Sequence, residues 1–326
     1  MELRQLQYVV QIAKEKNFSR AAEKLHIAQP SLSQQLSKLE REIGVMLFQR
    51  STNSVELTHA GKLFVDQAQK VLDLVEQIKQ EMDDISLMRK GKLVIGSLPI
   101  TGSHILPRVL PVFQSLYPEI EVTLLEETSS NLEMLTAQGQ TDLTLLSYPV
   151  SDASLVCERL IEEEILLALP AHHRLIGESE DGMNRKSDHL IEALNQTGVE
   201  RPIPARSTPV HMAALQNENF IILKKGHGFR QITIDLCRNA GFDPNIVFES
   251  SNIETVQSLV AAGMGIALVP EMVARSKWSE FVPAYLRLEG RPSRTLVIAH
   301  RKDRYMSKAA KAFIQTMMDV VKGSEA

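Results

Sequence analysis

From about His59 to Met88 the chain contains no proline, and Phe64, Ala68, Val71, Val75, Ile78, Met82 and Ile85 recur at alternating steps of four and three. That spacing is the a/d seam of a coiled coil, and it predicts one helix of about 45 Å at 1.5 Å per residue. Such a stripe can pack on its own domain, but a strict 3.5-residue period over this length favours a partner helix. The helix also divides the chain into a front of residues 1–58, a linker of residues 59–90 and a long remainder. A length of 326 residues fits two or more domains.

The front reads as helices. Leu3, Leu6, Val10 and Ala13 recur at helical spacing, and Ser19 is placed to cap a short second helix from Arg20 to Leu25. His26-Ile27-Ala28 makes a tight connection, and Pro30 then sits in the first turn of a third helix, where its missing N–H does no harm. Leu32, Leu36, Leu39 and Ile43 form the apolar back of that helix; Ser33, Gln34, Ser37, Lys38 and Arg41 form its polar front, and Gly44 supplies its end. Leu47 to Arg50 and Val55 to Thr58 read as two short strands around Ser51-Thr52-Asn53-Ser54, which makes a wing. A helix with this division fits the DNA major groove: Gln can bond adenine in two places, and Lys and Arg can meet guanine or phosphate. A solvated helix face is the plain alternative, and the sequence of helix, tight turn and prolyl-started helix speaks against it. Charge agrees in sign. Residues 1–58 hold eight Lys and Arg against six Asp and Glu, while the remainder holds 28 against 34, so the front is the half suited to a polyanion.

The remainder alternates. Leu93 to Ile95, Val122 to Leu125, Leu143 to Leu146, Phe220 to Leu223, Ile246 to Phe248, Ile266 to Val269 and Thr295 to Ala299 read as strands. Leu106 to Leu116, Asn131 to Ala137, Phe229 to Asn239 and Ile253 to Ala262 read as helices between them. Ile165 to Leu169 begins a second unit, and a helix with Ala310, Phe313, Met317 and Val320 closes the chain. Alternation predicts α/β architecture with a mostly parallel sheet. Two such units make two lobes, residues 91–161 with 270–326 and residues 162–269, with a cleft between them suited to a small ligand. Residues 175–211, polar and rich in Gly and Pro, read as an insertion with a helix over His189 to Leu194.

Here the chain resembles a known family. Phe18-Ser19-Arg20-Ala21-Ala22-Glu23-Lys24-Leu25, Gln29-Pro30-Ser31-Leu32-Ser33, Leu39-Glu40 to Gly44, Leu47-Phe48-Gln49-Arg50 and Val55 to Gly61 resemble the signature of LysR-type transcriptional regulators. The likeness continues through Ile105-Leu106-Pro107, Phe113, Tyr117-Pro118, Ala240 to Pro244 and Val260 to Pro270, and omits only the insertion. It implies a multidomain fold: an N-terminal winged helix-turn-helix, a long linker helix for dimerisation and a C-terminal α/β domain of two lobes like a periplasmic binding protein. The implied partners are double-stranded DNA at a promoter operator, a small-molecule effector, a second copy of the chain in a homodimer or homotetramer, and RNA polymerase. By this resemblance Gln29, Pro30, Ser33 and Gln34 contact the major groove, with Ser19, Arg20, Ser31, Ser37, Lys38 and Arg41 around them. Asn53 stands at the wing tip where many relatives carry Arg, so Arg50 is left to hold phosphate or to anchor the hairpin. The effector cleft maps to Leu98 to Ser103, with Pro99, Ile100, Thr101 and Gly102, to Ser129, Ser130 and Asn131, to Lys224 to Arg230, with His227, and to Ser251 to Thr255, with Asn252. Thr101 and Ser103 would precede a helix N-terminus, which favours an anion. With Lys224, His227 and Arg230 nearby, the expected effector is a small anionic metabolite.

Other classes find little support. There is no P-loop, no Gly-x-Ser-x-Gly elbow and no His-Glu-x-x-His, and Ser187-Asp188-His189 are too close in sequence for triad geometry. No enzyme and no cofactor are expected. Cys157 and Cys237 lie far apart, as buried structural thiols do, and His172-His173 alone make no metal site. No run of 18 apolar residues suggests a membrane span, and Met1 to Gln5 lack the basic leader of a signal peptide. A cytoplasmic protein is expected.

Overall fold

A computed structural model of the chain describes residues 1–50, 55–85, 91–176, 209–274 and 282–323. The wing tip with Asn53, the helix break at Arg89-Lys90 and most of the insertion, with its expected helix over 189–194, lie outside the described residues.

The front comprises α1 (Leu3–Glu15), α2 (Phe18–Lys24), α3 (Gln29–Ile43) and an antiparallel pair, β1 (Phe48–Arg50) and β2 (Val55–Leu57). Val9, Ile12, Ala21, Ala22, Leu32, Leu36, Leu39, Leu47 and Phe48 form one core, which puts the expected apolar back of α3 inside. One cap differs from expectation. Asn17, not Ser19, precedes α2, and its Oδ1 accepts the Arg20 N–H at 3.0 Å. Both residue types cap helices; the chain uses the earlier one, which brings Phe18 against Phe48 with ring centroids 6.3 Å apart. Glu40 is buried, and its carboxylate accepts the N–H groups of Leu47 (2.7 Å) and Phe48 (3.3 Å), which pins the wing to α3.

The linker is α4 (His59–Ile85). Thr58 joins it to the front: its hydroxyl donates to Met46 O at 2.8 Å and accepts the Gly61 N–H at 2.9 Å. A Cβ at position 61 would stand 2.0 Å from Leu47 O, so only glycine allows this approach. The expected seam divides. Phe64 packs with Val65 on the front core and Ala68 is buried. Beyond them, Val71, Leu74, Ile78 and Met82 stand exposed while Val75 is half-buried.

The opposite face of α4 carries Asp73, Gln77, Gln80 and Asp84, and it docks on the remainder of the chain. Arg301 and Arg304 both grip the Asp73 carboxylate (2.6 and 3.0 Å), and Arg304 also pairs with Asp142. Gln77 accepts the Tyr305 N–H at 3.2 Å, Gln80 donates to Asp142 at 3.3 Å, and Asp84 accepts from the Tyr305 hydroxyl at 2.9 Å and the Lys308 N–H at 2.8 Å. This polar stripe steps by four, three and four residues, which keeps it on one side of the helix.

The remainder follows in the order β3 (Gly91–Ser97), α5 (Pro99–Leu116), β4 (Ile120–Glu126), α6 (Ser129–Ala137), β5 (Leu143–Ser147), β6 (Leu155–Leu169) and β7 (Asn219–Leu223). Then come α7 (Gly228–Asn239), β8 (Asn245–Ser250), α8 (Ile253–Ala261), β9 (Ala267–Pro270), α9 (Glu271–Ala274), β10 (Ala284–Arg287), β11 (Ser293–Arg301) and α10 (Lys308–Lys322). The sheet is mixed, not mostly parallel. Its path is β10-β6-β11-β5-β3-β4, with β9 also on β6; β3 runs parallel to β4 and β5, whereas β6 and β11 pair antiparallel to each other and β11 antiparallel to β5. A second sheet pairs β7 and β8 in parallel.

Two cores result. Leu93, Ile95, Leu106, Val109, Phe113, Leu145, Ile298, Phe313 and Met317 fill the first, where Phe113 meets Phe313 edge to face at 5.1 Å. Ile165 to Leu169, Phe220 to Leu223, Val256, Val260, Leu268 and Leu286 fill the second. The 15-residue β6 belongs to both: Leu155–Glu164 pairs with β11, and Ile165–Leu169 with β9 and β10. Residues 284–288, expected with the first lobe, pack in the second core because β10 pairs with the far end of β6.

Candidate functional site

Two regions carry the expected functional residues. The first is the outer face of α3. Ala28 precedes the helix and Pro30 lies in its first turn, as the sequence suggests. Gln29, Pro30, Ser31, Gln34, Lys38 and Arg41 are exposed, and Ser33 and Ser37 are half-buried between them. Gln29 donates to the Ser33 hydroxyl at 3.0 Å, one turn along. Arg41 folds back to donate to Ser37 O at 3.2 Å, in the last turn where a cation suits the helix dipole. Ser19 and Arg20 are exposed at the start of α2, and Arg50 ends β1. The surface is therefore a short row of amides, hydroxyls and one free lysine on a helix whose back is fixed by the core.

The second region is a cavity of about 370 Å³ between the two cores. Leu98, Pro99, Ile100, Ser103, His104 and Glu126 line it from one side; Leu223, His227, Gly228, Phe229, Ser251, Asn252, Ile253 and Glu254 line it from the other, with Pro270 and Arg294. The helix at its edge begins at Pro99, seven residues before the expected Leu106. Pro99 serves as the first-turn proline, and Pro107 and Pro111 lie inside the helix. Thr101 and Ser103 are thus in the first turns of α5 rather than ahead of it. Thr101 is fully buried, and its Oγ1 has no hydrogen-bond partner. Gly102 matters for a different reason: a Cβ there would stand 3.0 Å from Glu126 Oε1.

The remaining expected residues scatter. Ser129 bridges the lobes, its hydroxyl accepting the Gly228 N–H at 2.9 Å, and the Ser130 N–H meets Gly226 O at 3.4 Å. Asn131 donates to Glu127 at 3.1 Å and does not line the cavity. Lys224 is exposed and outside the lining. Arg230 is committed to Glu249 (2.6 Å) and Leu223 O (2.7 Å). His227 does line the cavity, and burial holds its pKa below the ordinary histidine value, so it is neutral at pH 7.

His104, Glu126 and Arg294 were not expected; Phe229 and Glu254 fall within the expected stretches 224–230 and 251–255. Arg294 is buried against Glu163 and donates to the Ser147 hydroxyl at 3.3 Å, with its guanidinium 5.3 Å from the Phe229 ring centroid. Glu163 lies 131 residues away in sequence, so no local pattern announces the pair. His104 becomes visible in the sequence once α5 is started at Pro99, because it then follows Thr101 by three residues on one face.

Burial, then Asp243, pushes the Cys237 thiol up to about 12; burial, then Glu133, raises Cys157. Thiolates are the reactive form, so folded protein at pH 7.5 should leave Cys237 unalkylated by iodoacetamide, and unfolding in urea should release it. Rapid labelling of the native chain would contradict this burial. His173 pairs with Glu218 at 3.2 Å, and among the described residues no group of three His, Cys, Asp or Glu could hold a metal ion. Among them, too, no helix is long and apolar enough to cross a membrane.

Comparison with known proteins decides the family. Residues 3–62 match the bacterial regulatory helix-turn-helix protein, lysR family, and residues 88–322 match the LysR substrate binding domain. The chain belongs to the LysR family. It is 40% identical to the HTH-type transcriptional regulator YcgK of Bacillus subtilis over 99% of this chain and 95% of that one. It is 31% identical to the DNA-binding transcriptional dual regulator OxyR of Escherichia coli, over 92% and 90% of the two chains. A full-length OxyR variant from Pseudomonas aeruginosa has the same fold, with a TM-score of 0.69 at 26% identity over 99% of this chain and 95% of that one. The LysR regulator CbnR, solved as a complex with its target DNA, matches with a TM-score of 0.64 at 21% identity over 98% and 100% of the chains, which speaks for the fold alone. This LysR protein is a DNA-binding transcriptional regulator with an effector-binding domain.

Proposed function

We propose that α3 reads base edges in the major groove through Gln29, Pro30, Ser33 and Gln34, with Ser31, Ser37, Lys38 and Arg41 beside them. Ser19, Arg20 and Arg50 hold phosphate at the flanks. The observation that carries this is the exposed row of amides and hydroxyls on α3, whose back is anchored in the core by Leu32, Leu36 and Leu39. Two copies join along Val71, Leu74, Ile78 and Met82 of α4, so that paired α3 helices meet two half-sites on one duplex. A small-molecule effector occupies the cavity beside Pro99, Ile100 and Ser103 on one lobe and His227, Ser251 and Asn252 on the other.

Gln34→Ala should weaken binding to the operator by about 1–3 kcal/mol, the range for one bidentate base contact, and relax selectivity at one position of each half-site. Titration of labelled duplexes carrying each base at that position measures both. An equal loss on every sequence would make Gln34 a phosphate contact; no loss would remove it from the interface.

A further inference from the structure

The charge of the cavity differs from what Lys224 and Arg230 suggested, and the difference bears on what the cavity takes. Glu126 at the end of β4 and Glu254 at the start of α8 line it from opposite lobes. Both are exposed, and neither makes an ion pair among the described residues. Among the described residues, Arg294 in the lining is matched by Glu163, and Arg230 is matched by Glu249. The positive end of α5, which would otherwise welcome an anion, has Glu126 Oε1 against Gly102. The α8 N-terminus is filled as well, since Asn252 Oδ1 accepts the Glu254 N–H at 2.6 Å and the Thr255 N–H at 3.4 Å.

His104 also lines the cavity. Its Nδ1 lies 2.9 Å from Ile100 O. Nδ1 also lies 3.0 Å from the Ser103 hydroxyl. Its Nε2 is buried and has no partner, and neither has Thr101 Oγ1 one turn earlier, which lies outside the lining. Buried polar atoms without partners are rare, and each calls for a reason. The rest of the wall is apolar: Leu98, Ile100, Leu223, Phe229, Ile253 and Pro270.

We propose that the effector is a small organic cation, an amine or guanidine on an apolar body, whose charged group is held between Glu126 and Glu254. The proposal rests on the reading of the cavity as the effector site. A ligand of this kind supplies the missing counter-charge to both lobes at once, so its binding favours a closer approach of Glu126 to Glu254.

Unfolding of the full chain with phenethylamine, agmatine, phenylacetate and 2-phenylethanol tests it, since three of these share one apolar body and differ in charge. The expected result is a concentration-dependent rise in unfolding temperature of several degrees with an amine or guanidine and none with phenylacetate. In the Glu126→Gln, Glu254→Gln double variant that affinity should fall at least about 10-fold. Stabilisation by phenylacetate or 2-phenylethanol alone overturns the cation and leaves the cavity as the effector site. Amine binding undiminished in the double variant overturns the assignment to these carboxylates. Stabilisation by none of the four overturns the cation.

Discussion

Asp73→Ala should cost about 3–5 kcal/mol and loosen α4 from the effector-binding domain, the loss found when one partner of a buried ion pair is removed. The Asp73 side chain is 2% exposed and serves two arginines, Arg301 and Arg304, the latter 7% exposed. Without it Arg304 keeps Asp142 and Thr141 O, but Arg301 keeps only Ala137 O, at 3.4 Å. The Gln77 side-chain N–H loses its acceptor as well. Urea unfolding of the full chain reads the stability, and amide exchange across residues 73–84 reads the docking, which should weaken more than exchange in α3. These charges nevertheless do not exist for stability, because a buried ion network is seldom better than a well-packed apolar substitute. Their effect is to fix one angle between the DNA-binding front and the effector domain, since charges and hydrogen bonds match in a single register. A loss under about 1 kcal/mol would mean that water, not arginine, balances Asp73.

Leu74→Asp with Ile78→Asp should reduce dimer affinity by at least about 10³-fold. The two side chains are 56% and 52% exposed on a helix otherwise held by its polar face. Each apolar side chain of this size gains about 1.5–3 kcal/mol on burial, and a two-fold interface buries both from each copy. Removing four such contacts exceeds the roughly 4 kcal/mol that a thousandfold change requires. Four added carboxylates facing each other act in the same direction. Sedimentation should show monomers at concentrations where the wild type is dimeric, with binding to a full operator reduced to that of a half-site. A dimer of unchanged affinity would move the interface off α4.

The sequence announces some of this and hides the rest for physical reasons. The apolar back of α3 and its prolyl start are local signals, and the structure keeps them. The linker's period is equally local, yet it gives only the existence of a stripe. Which residues face outward depends on the docking of Asp73, Gln77, Gln80 and Asp84, and Leu74 therefore takes the exposed place expected of Val75. The strand β6 is hidden by Glu162, Glu163 and Glu164, three carboxylates in a row that read as a loop. They are strand residues because Ser293, Arg294 and Arg287 meet them from neighbouring strands. Pro107 conceals the true start of α5, since a proline can stand inside a helix when packing compensates for its lost hydrogen bond. The charge of the cavity is the least legible feature. It is set by Arg230–Glu249 and Arg294–Glu163, and by which side chains the fold turns inward.

The most direct measurement is selection of duplexes from a random pool by the full chain, followed by sequencing of those it holds. Paired α3 helices on an α4 dimer predict an interrupted palindrome whose half-site centres are about 10–10.5 base pairs apart or a multiple of that, reading one face of the duplex. Enrichment of a single asymmetric site, or of no sequence at all, would contradict paired reading by α3.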